Sequence, residues 1–455
     1  MQPIANTAAG HRGHVQSCLD RADASGAAAT AALLQRRDAA ALNEAAAWDE
    51  LRDNGGDLPP LAGLTLTVKA CFDVAGWITH AGSRVLADQP VATVDAPAVA
   101  ALRRAGAVLV AQTNMTEFAY GALGLNDTYG TPLNPLFARE ADSARVSGGS
   151  TSGGAVAVAL GIADVSLGSD TSGSVRIPAA FCGVAAFKPS RGRYPDGGMV
   201  YLSPTFDVPG IVTASAEMCR RVDVALVNVS LVDAALVDDA GFNALESSSV
   251  RGVRLIVPDG ITDDVEPVIA AAFDTWVATL VEAGVEIVRL PLPCLSESGV
   301  VAREAGIISA EAYMLHRERL QSHAYLYDPR VGPRIAAGAE VRAHHYAAGL
   351  ARLRVLSQRY DAALERVYVD GVLTPTVGIL PPRIADLQDN DAYLAANAQA
   401  FRLTEFANRL DLPSITLPGS PAERRPIGLL FTGRRGGDAT LLDLAVRIER
   451  CLTDA

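Results

Sequence analysis

The sequence predicts an α/β protein built on a mixed, largely parallel, twisted sheet with helices on both faces. Hydrophobic residues make up 49% of the 455 residues and charged residues 20%, which is the balance of a globular chain. Strand-like apolar runs alternate with helix-like stretches along most of the chain, which is the pattern of βαβ units. No repeat or long polar linker interrupts this alternation, so we expect residues 1–455 to form a single domain.

The first half of the chain supplies clear helix and strand signals. Residues 1–60 are rich in alanine and predict two N-terminal helices. The stretch LAGLTLTVKACFDVAG, residues 61–76, alternates apolar and polar residues before a glycine, and it predicts a strand with Lys69 near its end. DAPAVAALRRAG and AVLVAQTN, residues 95–106 and 107–114, predict a helix followed by a buried strand.

The second half repeats the alternation around a mainly helical segment. Strand, helix and strand are predicted in turn at VRGVRLIVPDG, DVEPVIAAAFDTWVATLVEAG and VEIVRLPL, which span residues 250–292. Residues from about 302 to 366 have a helical pattern, and we expect this segment to line the substrate pocket. Strand and helix signals return in the tail at VDGVLTPTV, IGLLFTGRR and TLLDLAVRIERCL.

The charge of the chain excludes some classes of partner. A formal net charge of −12 argues against nucleic acid or an anionic membrane, because both need clustered positive charge on the protein. A small substrate, neutral or cationic, fits this charge better. No apolar run approaches the roughly 18 residues of a membrane helix, and the N-terminus lacks a basic segment followed by an apolar one. We therefore expect a cytoplasmic protein without a membrane partner, and we leave a homodimer open.

The cysteines show no metal-binding or disulfide pattern. They are scattered without a CxxC pair, and we find no histidine at metal-ligand spacing from any of them. We expect reduced, mostly buried thiols, no metal site and no organic cofactor. The six are Cys18, Cys71, Cys182, Cys219, Cys294 and Cys451.

Lysine is almost absent from the chain, since only two of the 39 basic residues are lysines, Lys69 and Lys188. A buried ammonium can lose its proton and act as a base, whereas a guanidinium effectively cannot. A lysine kept in such a chain is therefore a candidate base, although a codon bias toward arginine would also leave two lysines.

Two loops rich in glycine and serine stand between residues 144 and 178, in ARVSGGSTSGGAVAVALGIADVSLGSDTSGSVRIP. Glycines at this density indicate tight turns or a close approach of the backbone to a ligand. A phosphate-binding loop would need Gly-Lys-Ser/Thr or GxGxxG, and an α/β-hydrolase elbow would need GxSxG; none of these is present. Two structural turns, or a serine nucleophile activated by a lysine, remain.

A lysine base would make sense of both loops together. A serine hydroxyl attacks poorly until a base takes its proton, and a lysine desolvated by burial can be that base. A second serine between them could relay the proton, because a hydroxyl both donates and accepts. One loop would then hold the relay and the other the nucleophile.

Three separated segments in the right order resemble the amidase signature family of serine amidohydrolases: LTVKACFDVAG, GGSTSGGAVAVALG and LGSDTSGSVRIPAAFCGVAAFKPSRGR. QTNMTEFAYGALGLNDTYGTPLNP, LPSITLP and IGLLFTG add to the match, which covers roughly residues 60–450. The resemblance implies a triad of Ser174 as nucleophile, Ser150 as a bridging serine after a cis peptide bond, and Lys69 as base. Ser150 and Ser174 are 24 residues apart, as the family spacing requires.

The residues around this triad carry further expectations. The resemblance implies an oxyanion hole of backbone amides in the nucleophile turn. Asp170 and Arg176 flank the nucleophile, and we expect them to pair and brace its loop. We expect Tyr120 and Gly149 to contact the substrate and Lys188 to be structural. The amides of the oxyanion hole are those of Thr171, Ser172, Gly173 and Ser174.

These expectations define an amidohydrolase that cleaves the C–N bond of a small amide through an acyl-enzyme. Aryl-amide, carbamate (urethane) and ester bonds lie within reach of the same chemistry. The alternative is the A-type glutaminase component of a tRNA-dependent amidotransferase complex, which the same family contains.

Overall fold

The computed structural model describes residues 10–137, 144–231, 249–418 and 425–454. The strands in these ranges are β1 Leu33–Arg36, β2 Thr65–Lys69, β3 Val108–Thr113, β4 Val165–Asp170, β5 Ala185–Lys188, β6 Val208–Thr213, β7 Arg254–Pro258, β8 Glu286–Leu290, β9 Gly371–Pro375, β10 Ser414–Pro418 and β11 Gly428–Thr432.

The helices surround these strands in the chain and in space. They are α1 Gly10–Ala24, α2 Ala27–Ala32, α3 Asp38–Asp53, α4 Pro97–Arg104, α5 Ser152–Ala159, α6 Arg176–Cys182, α7 Ala216–Leu231, α8 Pro267–Glu282, α9 Pro293–Glu304, α10 Ile307–His323, α11 Gly332–Ala336, α12 Ala343–Val367, α13 Asn390–Phe401, α14 Glu405–Arg409 and α15 Asp438–Asp454. Short 3-10 turns lie at Arg84–Leu86, Glu117–Ala119, Pro135–Phe137, Ala324–Leu326, Ala337–Glu340 and Ile384–Leu387.

The described strands form one mixed sheet in the spatial order β1-β3-β2-β4-β6-β5-β10-β11-β9-β7-β8. β2 pairs in parallel with β3 and β4, and β7 pairs in parallel with β8 and β9. Between these two parallel blocks, β6, β5, β10 and β11 pair antiparallel with their neighbours. The predicted α/β class with a mixed sheet is confirmed.

Helices cover both faces of the sheet, as predicted. Successive strand residues point to opposite faces: Leu109 of β3 belongs to one buried cluster, and Val110 belongs to another. The first cluster includes side chains of α4, α7, α8 and α15. On the opposite face, β strands pack against α1, α3, α5 and α6 at one end, and against α9, α12 and α14 at the other. Both faces of β2 to β6 are buried, and the charged residues of these strands, Lys69, Asp170 and Lys188, each stand at the last position of a strand.

The N-terminal region differs from the two helices predicted for it. Residues 10–53 contain three helices, and β1 lies between α2 and α3. β1 pairs antiparallel with β3 at the edge of the sheet, with Leu33 opposite Thr113 and Arg36 opposite Ala111. Backbone pairing with β3 thus outweighs the helical propensity of the surrounding alanine-rich sequence.

The helical prediction for residues 302–366 is confirmed, since this segment contains the end of α9, all of α10 and α11 and nearly all of α12. α13 and α14, which follow β9, had no counterpart in the prediction. Within the ranges described, no helix is both long enough and apolar enough to cross a bilayer.

Candidate active site

Lys69 stands at the carboxyl end of β2, beside the parallel strand β4. Its ammonium donates to the Ser150 hydroxyl at 2.7 Å and to the Ser169 hydroxyl at 2.9 Å. The side chain is fully buried. Neighbouring parallel strands end at the same edge of a sheet, which brings Lys69 of β2 next to Ser169 of β4.

Burial lowers the pKa of Lys69. The charged form of a lysine loses its hydration in a dry site, so the neutral amine is favoured. The nearby acidic side chains of Asp207 and Asp170 oppose this shift without cancelling it. Burial also raises the pKa of Cys71, so the neighbouring thiol is neutral near pH 7. Burial thus favours the neutral amine of Lys69, which is the form that can accept a proton.

Ser150 lies in the first glycine-rich loop, immediately before α5. The peptide bond between Gly149 and Ser150 is cis, as the resemblance implies. The loop is held against the segment after β3, because Thr116 donates its amide to the Ser150 carbonyl at 3.1 Å and Gly149 donates its own to Ala122 at 2.6 Å. The sequence analysis expected Gly149 to contact substrate. A Cβ on Gly149 would lie 2.7 Å from the backbone nitrogen of Gly124, so this glycine permits close packing of two loops.

Ser174 lies in the second loop, between β4 and α6. Its carbonyl accepts from the Thr151 amide at 3.0 Å, which joins the two glycine-rich loops directly. The residue is 1% exposed and lines a cavity, described below. Among the described residues, no side-chain hydrogen bond involves the Ser174 hydroxyl. Lys69 and Ser150 are therefore in contact. The Ser174 hydroxyl lies at the edge of the cavity and has no side-chain partner among the described residues.

The turn from Thr171 to Ser174 is anchored through its carbonyls. Arg409 donates to the Thr171 carbonyl at 3.0 Å, and the Thr404 hydroxyl donates to the Ser172 carbonyl at 2.6 Å. The Ile177 amide, in α6, donates to the Gly173 carbonyl at 2.8 Å. In a trans peptide the N–H points away from the C=O of the same unit. Each anchor therefore fixes the direction of the amide that follows it.

The amides of this turn are not equivalent. The Gly173 amide donates to Asp170 at 2.8 Å, so it is already satisfied. For the amides of Thr171, Ser172 and Ser174, no acceptor is found in the part of the chain that the structure describes. Of the four amides that the resemblance implies for an oxyanion hole, the one of Gly173 thus already has an acceptor.

Asp170 and Arg176 form a fully buried ion pair, with Arg176 donating at 2.9 Å and 3.1 Å to the two carboxylate oxygens. Burial by itself would raise the pKa of Asp170, but the guanidinium holds it well below its usual range. Asn408 completes the cluster by donating to the Asp170 carboxylate and accepting from Arg176. The pair that we expected is present, and its carboxylate also receives the Gly173 and Val175 amides.

The other lysine, Lys188, ends β5 and donates to the carbonyl of Pro189 at 2.7 Å. Burial, followed by the charge of Arg176, lowers its pKa to about 8. Within the described ranges it makes no hydrogen bond to Ser150 or Ser174, which agrees with a structural role.

A cavity of about 700 Å³ opens over Ser174. Such a volume suits a small organic ligand. Tyr120, which we expected to contact substrate, lines it, and its hydroxyl lies 3.1 Å from the hydroxyl of Ser309 on α10. The helical segment predicted to line the pocket does so through α9, α10 and α11, and α13 and α14 complete the wall.

Sequence reasoning missed several residues of this site. Ser169 was not singled out, yet Lys69 contacts its hydroxyl as well as that of Ser150. Thr404, Asn408 and Arg409, which hold the nucleophile turn, were not singled out at all. The alternation of β4 beside β2 could have identified Ser169, whereas the other three come from more than 200 residues away in sequence.

The statement that no histidine stands at metal-ligand spacing from a cysteine was wrong. His14 and Cys18 are four residues apart on α1, which puts them on one face of the helix. With Asp164 they form a group whose ligand atoms lie within 4.8 Å of one another. The group is already satisfied as an ion pair, because His14 contacts Asp164 at 2.7 Å and Arg21 donates to the Cys18 sulfur at 2.9 Å. All six cysteines are thiols, five of them buried.

The sheet places a buried lysine–serine pair beside a cavity of small-molecule size, which suits an enzyme that acts on a small substrate. Residues 14–442 match the Amidase family, and the chain belongs to that family. It is 36% identical over 415 residues to 2-amino-5-chloromuconic acid deaminase from Comamonas testosteroni, covering 90% of this chain and 86% of the relative. These similarities confirm that the protein is an amidase-family enzyme.

Two further comparisons bear on function and fold. A glutamyl-tRNA(Gln) amidotransferase subunit from Koribacter versatilis (strain Ellin345) is 30% identical over 444 residues, which cover 90% of this chain and 89% of that protein. A crystal structure of an amidase matches with a TM-score of 0.82 and 31% identity over 97% of this chain and 96% of that chain.

Proposed function

We propose that this enzyme hydrolyses a small amide through an acyl-enzyme on Ser174, with Lys69 as the base and Ser150 as the proton relay. The observation that carries the proposal is the 2.7 Å hydrogen bond between Nζ of the buried Lys69 and the Ser150 hydroxyl. Among the described residues, the only other serine hydroxyl that a lysine contacts is that of Ser169, on the same Lys69.

In the first half-reaction, the Ser174 oxygen forms a bond to the carbonyl carbon of the substrate. The Ser174 proton passes to Ser150 while the Ser150 proton passes to neutral Lys69, so Ser150 gives one proton and receives one, and Lys69 ends as the ammonium. When the C–N bond breaks, the leaving nitrogen takes the proton back along the same path. An ester between the acyl group and Ser174 remains.

In the second half-reaction, water attacks this ester and gives its proton to the same relay. The Ser174–acyl bond breaks, Ser174 regains its proton, and the carboxylic acid leaves. The amides of Thr171, Ser172 and Ser174, for which the described residues offer no acceptor, support both steps, because they are available to donate to the oxyanion that forms on the carbonyl oxygen. Losing one such donor typically costs about 3–4 kcal/mol in the transition state.

The triad is tested by alanine substitutions and release of 4-nitroaniline or ammonia from simple amides. Ser174→Ala and Lys69→Ala should each reduce kcat to below about a thousandth of the wild-type value. Ser152→Ala is the matched control, because it removes a hydroxyl from the same loop as Ser150 and should leave most of the activity. A rate above a tenth of wild type in Ser174→Ala or Lys69→Ala would remove this mechanism.

The pH profile gives an independent check on the base. The base must be neutral, so kcat/KM should fall as the pH drops through the Lys69 pKa, which lies below the ordinary lysine value of 10.5. A profile whose acid limb lies at the ordinary lysine value would contradict a buried lysine base.

The similarity to a tRNA-dependent amidotransferase supports the alternative of a glutaminase that works within a complex. The same triad would then act on glutamine. Purified chain that hydrolyses simple amides without a partner would reject this alternative, and activity limited to glutamine with added partner proteins would support it. Comparison of kcat/KM for aryl amides, carbamates (urethanes) and esters shows which of these bonds the enzyme also cleaves.

A further inference from the structure

The cavity over Ser174 is far more basic than the chain as a whole. The chain carries a net charge of −12, yet four arginines and one acidic side chain line the cavity. These are Arg303, Arg334, Arg402, Arg409 and Glu405. The expectation of a neutral or cationic substrate came from the net charge, and the cavity lining does not support it.

Three of the arginines are already engaged. Glu405 contacts both Arg303, at 2.6 Å, and Arg409, at 3.6 Å. Arg409 also holds the nucleophile turn, and the Arg303 side chain is 62% exposed. Arg402 donates to the carbonyl of Asp264 at 2.7 Å, and its Nε is buried without a partner among the described residues.

Arg334, on α11, differs from these three. Its Nη1 donates to the Tyr120 carbonyl at 2.9 Å, and its guanidinium carbon lies 3.9 Å from the centre of the Tyr120 ring. Both contacts fix the plane of the guanidinium. Among the described residues, no carboxylate pairs with it, and Nε and Nη2 make no hydrogen bond.

The free edge of Arg334 has the geometry of an anion site. Nε and Nη2 project side by side, and two parallel N–H groups of this kind match the two oxygens of a carboxylate. A guanidinium that is already held by a ring and a carbonyl loses little rotational freedom when it binds a ligand, so the entropy cost of binding is small.

We propose that the substrate is an amide whose acyl part carries a carboxylate, a proposal that rests on the proposed function and narrows it. The Nε and Nη2 edge of Arg334 binds that carboxylate. The amide carbonyl then reaches Ser174 within the same cavity. For a primary amide the leaving group is ammonia, so the charge belongs to the acyl part.

The proposal is tested with pairs of substrates that differ only in charge. Monoamides of straight-chain dicarboxylic acids, roughly four to six carbons long, are compared with the corresponding diamides, and ammonia release gives kcat/KM. The wild-type enzyme should prefer the charged monoamide. Arg334→Leu should lower kcat/KM for the monoamide by about 10- to 100-fold and leave the diamide nearly unchanged. Arg334→Lys should recover part of the loss, because it keeps the positive charge but lacks the two parallel N–H groups.

The matched control is Arg354→Leu, which removes one positive charge from the exposed face of α12, away from the cavity lining. This control should leave kcat/KM unchanged for both the monoamide and the diamide. A wild-type enzyme that prefers the diamides, or an Arg334→Leu variant that loses both activities equally, would overturn the proposal.

A binding experiment separates this proposal from the proposed mechanism. Calorimetric titration of the Ser174→Ala variant with monoamides and diamides of the same lengths needs no turnover. Tighter binding of the monoamide, lost when Arg334→Leu is added, supports the carboxylate site even if the wild type hydrolyses neither. Equal binding of both overturns the site and leaves the triad unaffected.

Discussion

Arg409 connects α14 to the turn that precedes Ser174. It donates to the Thr171 carbonyl at 3.0 Å and to the Ser172 hydroxyl at 2.8 Å, and its guanidinium carbon lies 4.3 Å from the centre of the Phe206 ring. The side chain is buried, and burial lowers its pKa, although guanidinium remains the charged form at any working pH. Because the Thr171 carbonyl is held on one side, the Ser172 amide must point to the other.

Arg409→Met should therefore lower kcat by roughly 10- to 100-fold, because an oxyanion donor loses its fixed direction. KM should stay close to wild type, and charged and neutral amides should be affected alike. This result differs from that expected for Arg334→Leu, which acts on charged amides only. Steady-state kinetics on both substrates make the comparison, and a raised KM with unchanged kcat would show that Arg409 binds substrate instead.

Single residues were predictable from sequence only where a local motif contained them. Lys69, Ser150 and Ser174 each stand in a quoted segment, and the structure brings Lys69 and Ser150 into contact. Arg409 has no such signal, because its contact with Ser172 spans 237 positions of sequence. Long-range contacts of this kind follow from the order of strands and helices in space.

At the scale of elements, α1 is attached to the sheet by two side chains. His14 contacts Asp164 at 2.7 Å, and Arg21 donates to the Gly161 carbonyl at 2.6 Å, just before β4. Asp164 also accepts from the amide and the hydroxyl of Thr65, the first residue of β2. One carboxylate thus joins a helix to the beginnings of two strands.

This attachment depends on pH through both partners. Burial alone would lower the pKa of His14, but its hydrogen bond to Asp164 raises it from 6.5 to about 10. Burial alone would raise the pKa of Asp164, but His14 and Thr65 lower it below the usual 3.8. The histidine contribution is therefore complete below pH 6.5 and is lost as the pH rises toward 10. The aspartate contribution is lost as the pH falls below 3.8.

His14→Gln should reduce the free energy of unfolding by roughly 1–3 kcal/mol at a pH between these limits, and by much less near pH 10. Urea unfolding of the wild type and the variant at both pH values measures the difference. His323→Gln replaces an exposed histidine at the end of α10, serves as the control, and should leave the free energy of unfolding nearly unchanged. A difference that stays constant with pH would mean that the ion pair contributes nothing beyond packing.

Elements were predicted well where periodicity is strong and poorly where tertiary pairing decides. The strands at β2, β3, β7, β8, β9 and β11 follow from apolar patterns. β1 was missed because a four-residue strand at a sheet edge is specified by β3, not by its own sequence. The group of His14 and Cys18 was missed for a simpler reason, since its helical spacing was present in the sequence and was overlooked.

At the scale of the whole molecule, both halves of the chain contribute strands to the one sheet. β10 lies between β5 and β11, so the C-terminal strands fill the centre of the sheet begun by the N-terminal half. The proposed triad residues precede β6, whereas the arginines that line the cavity follow β8. The proposed catalytic residues and the cavity arginines therefore come from different halves of the chain.

We propose on this basis that residues 1–455 unfold as one unit. Trp77 and Trp276 come from different halves of the chain, and both pack against the same buried cluster. Two variants, each with Trp48 replaced and only Trp77 or only Trp276 kept, should show the same urea midpoint by fluorescence, because loss of either half exposes the shared core. Calorimetry of the full chain should give a single transition. Midpoints that differ between the two variants would indicate two units that unfold separately.

The scarcity of lysine has a practical consequence for handling the protein. Lys69 and Lys188 are the only lysines in the chain, and both are at most 1% exposed. The folded surface therefore presents no lysine ammonium to acylating dyes, glutaraldehyde or amine-coupling resins. Reaction of either lysine with such a reagent would accordingly report opening of the core, so amine labelling becomes a sensitive measure of how often this enzyme opens in solution.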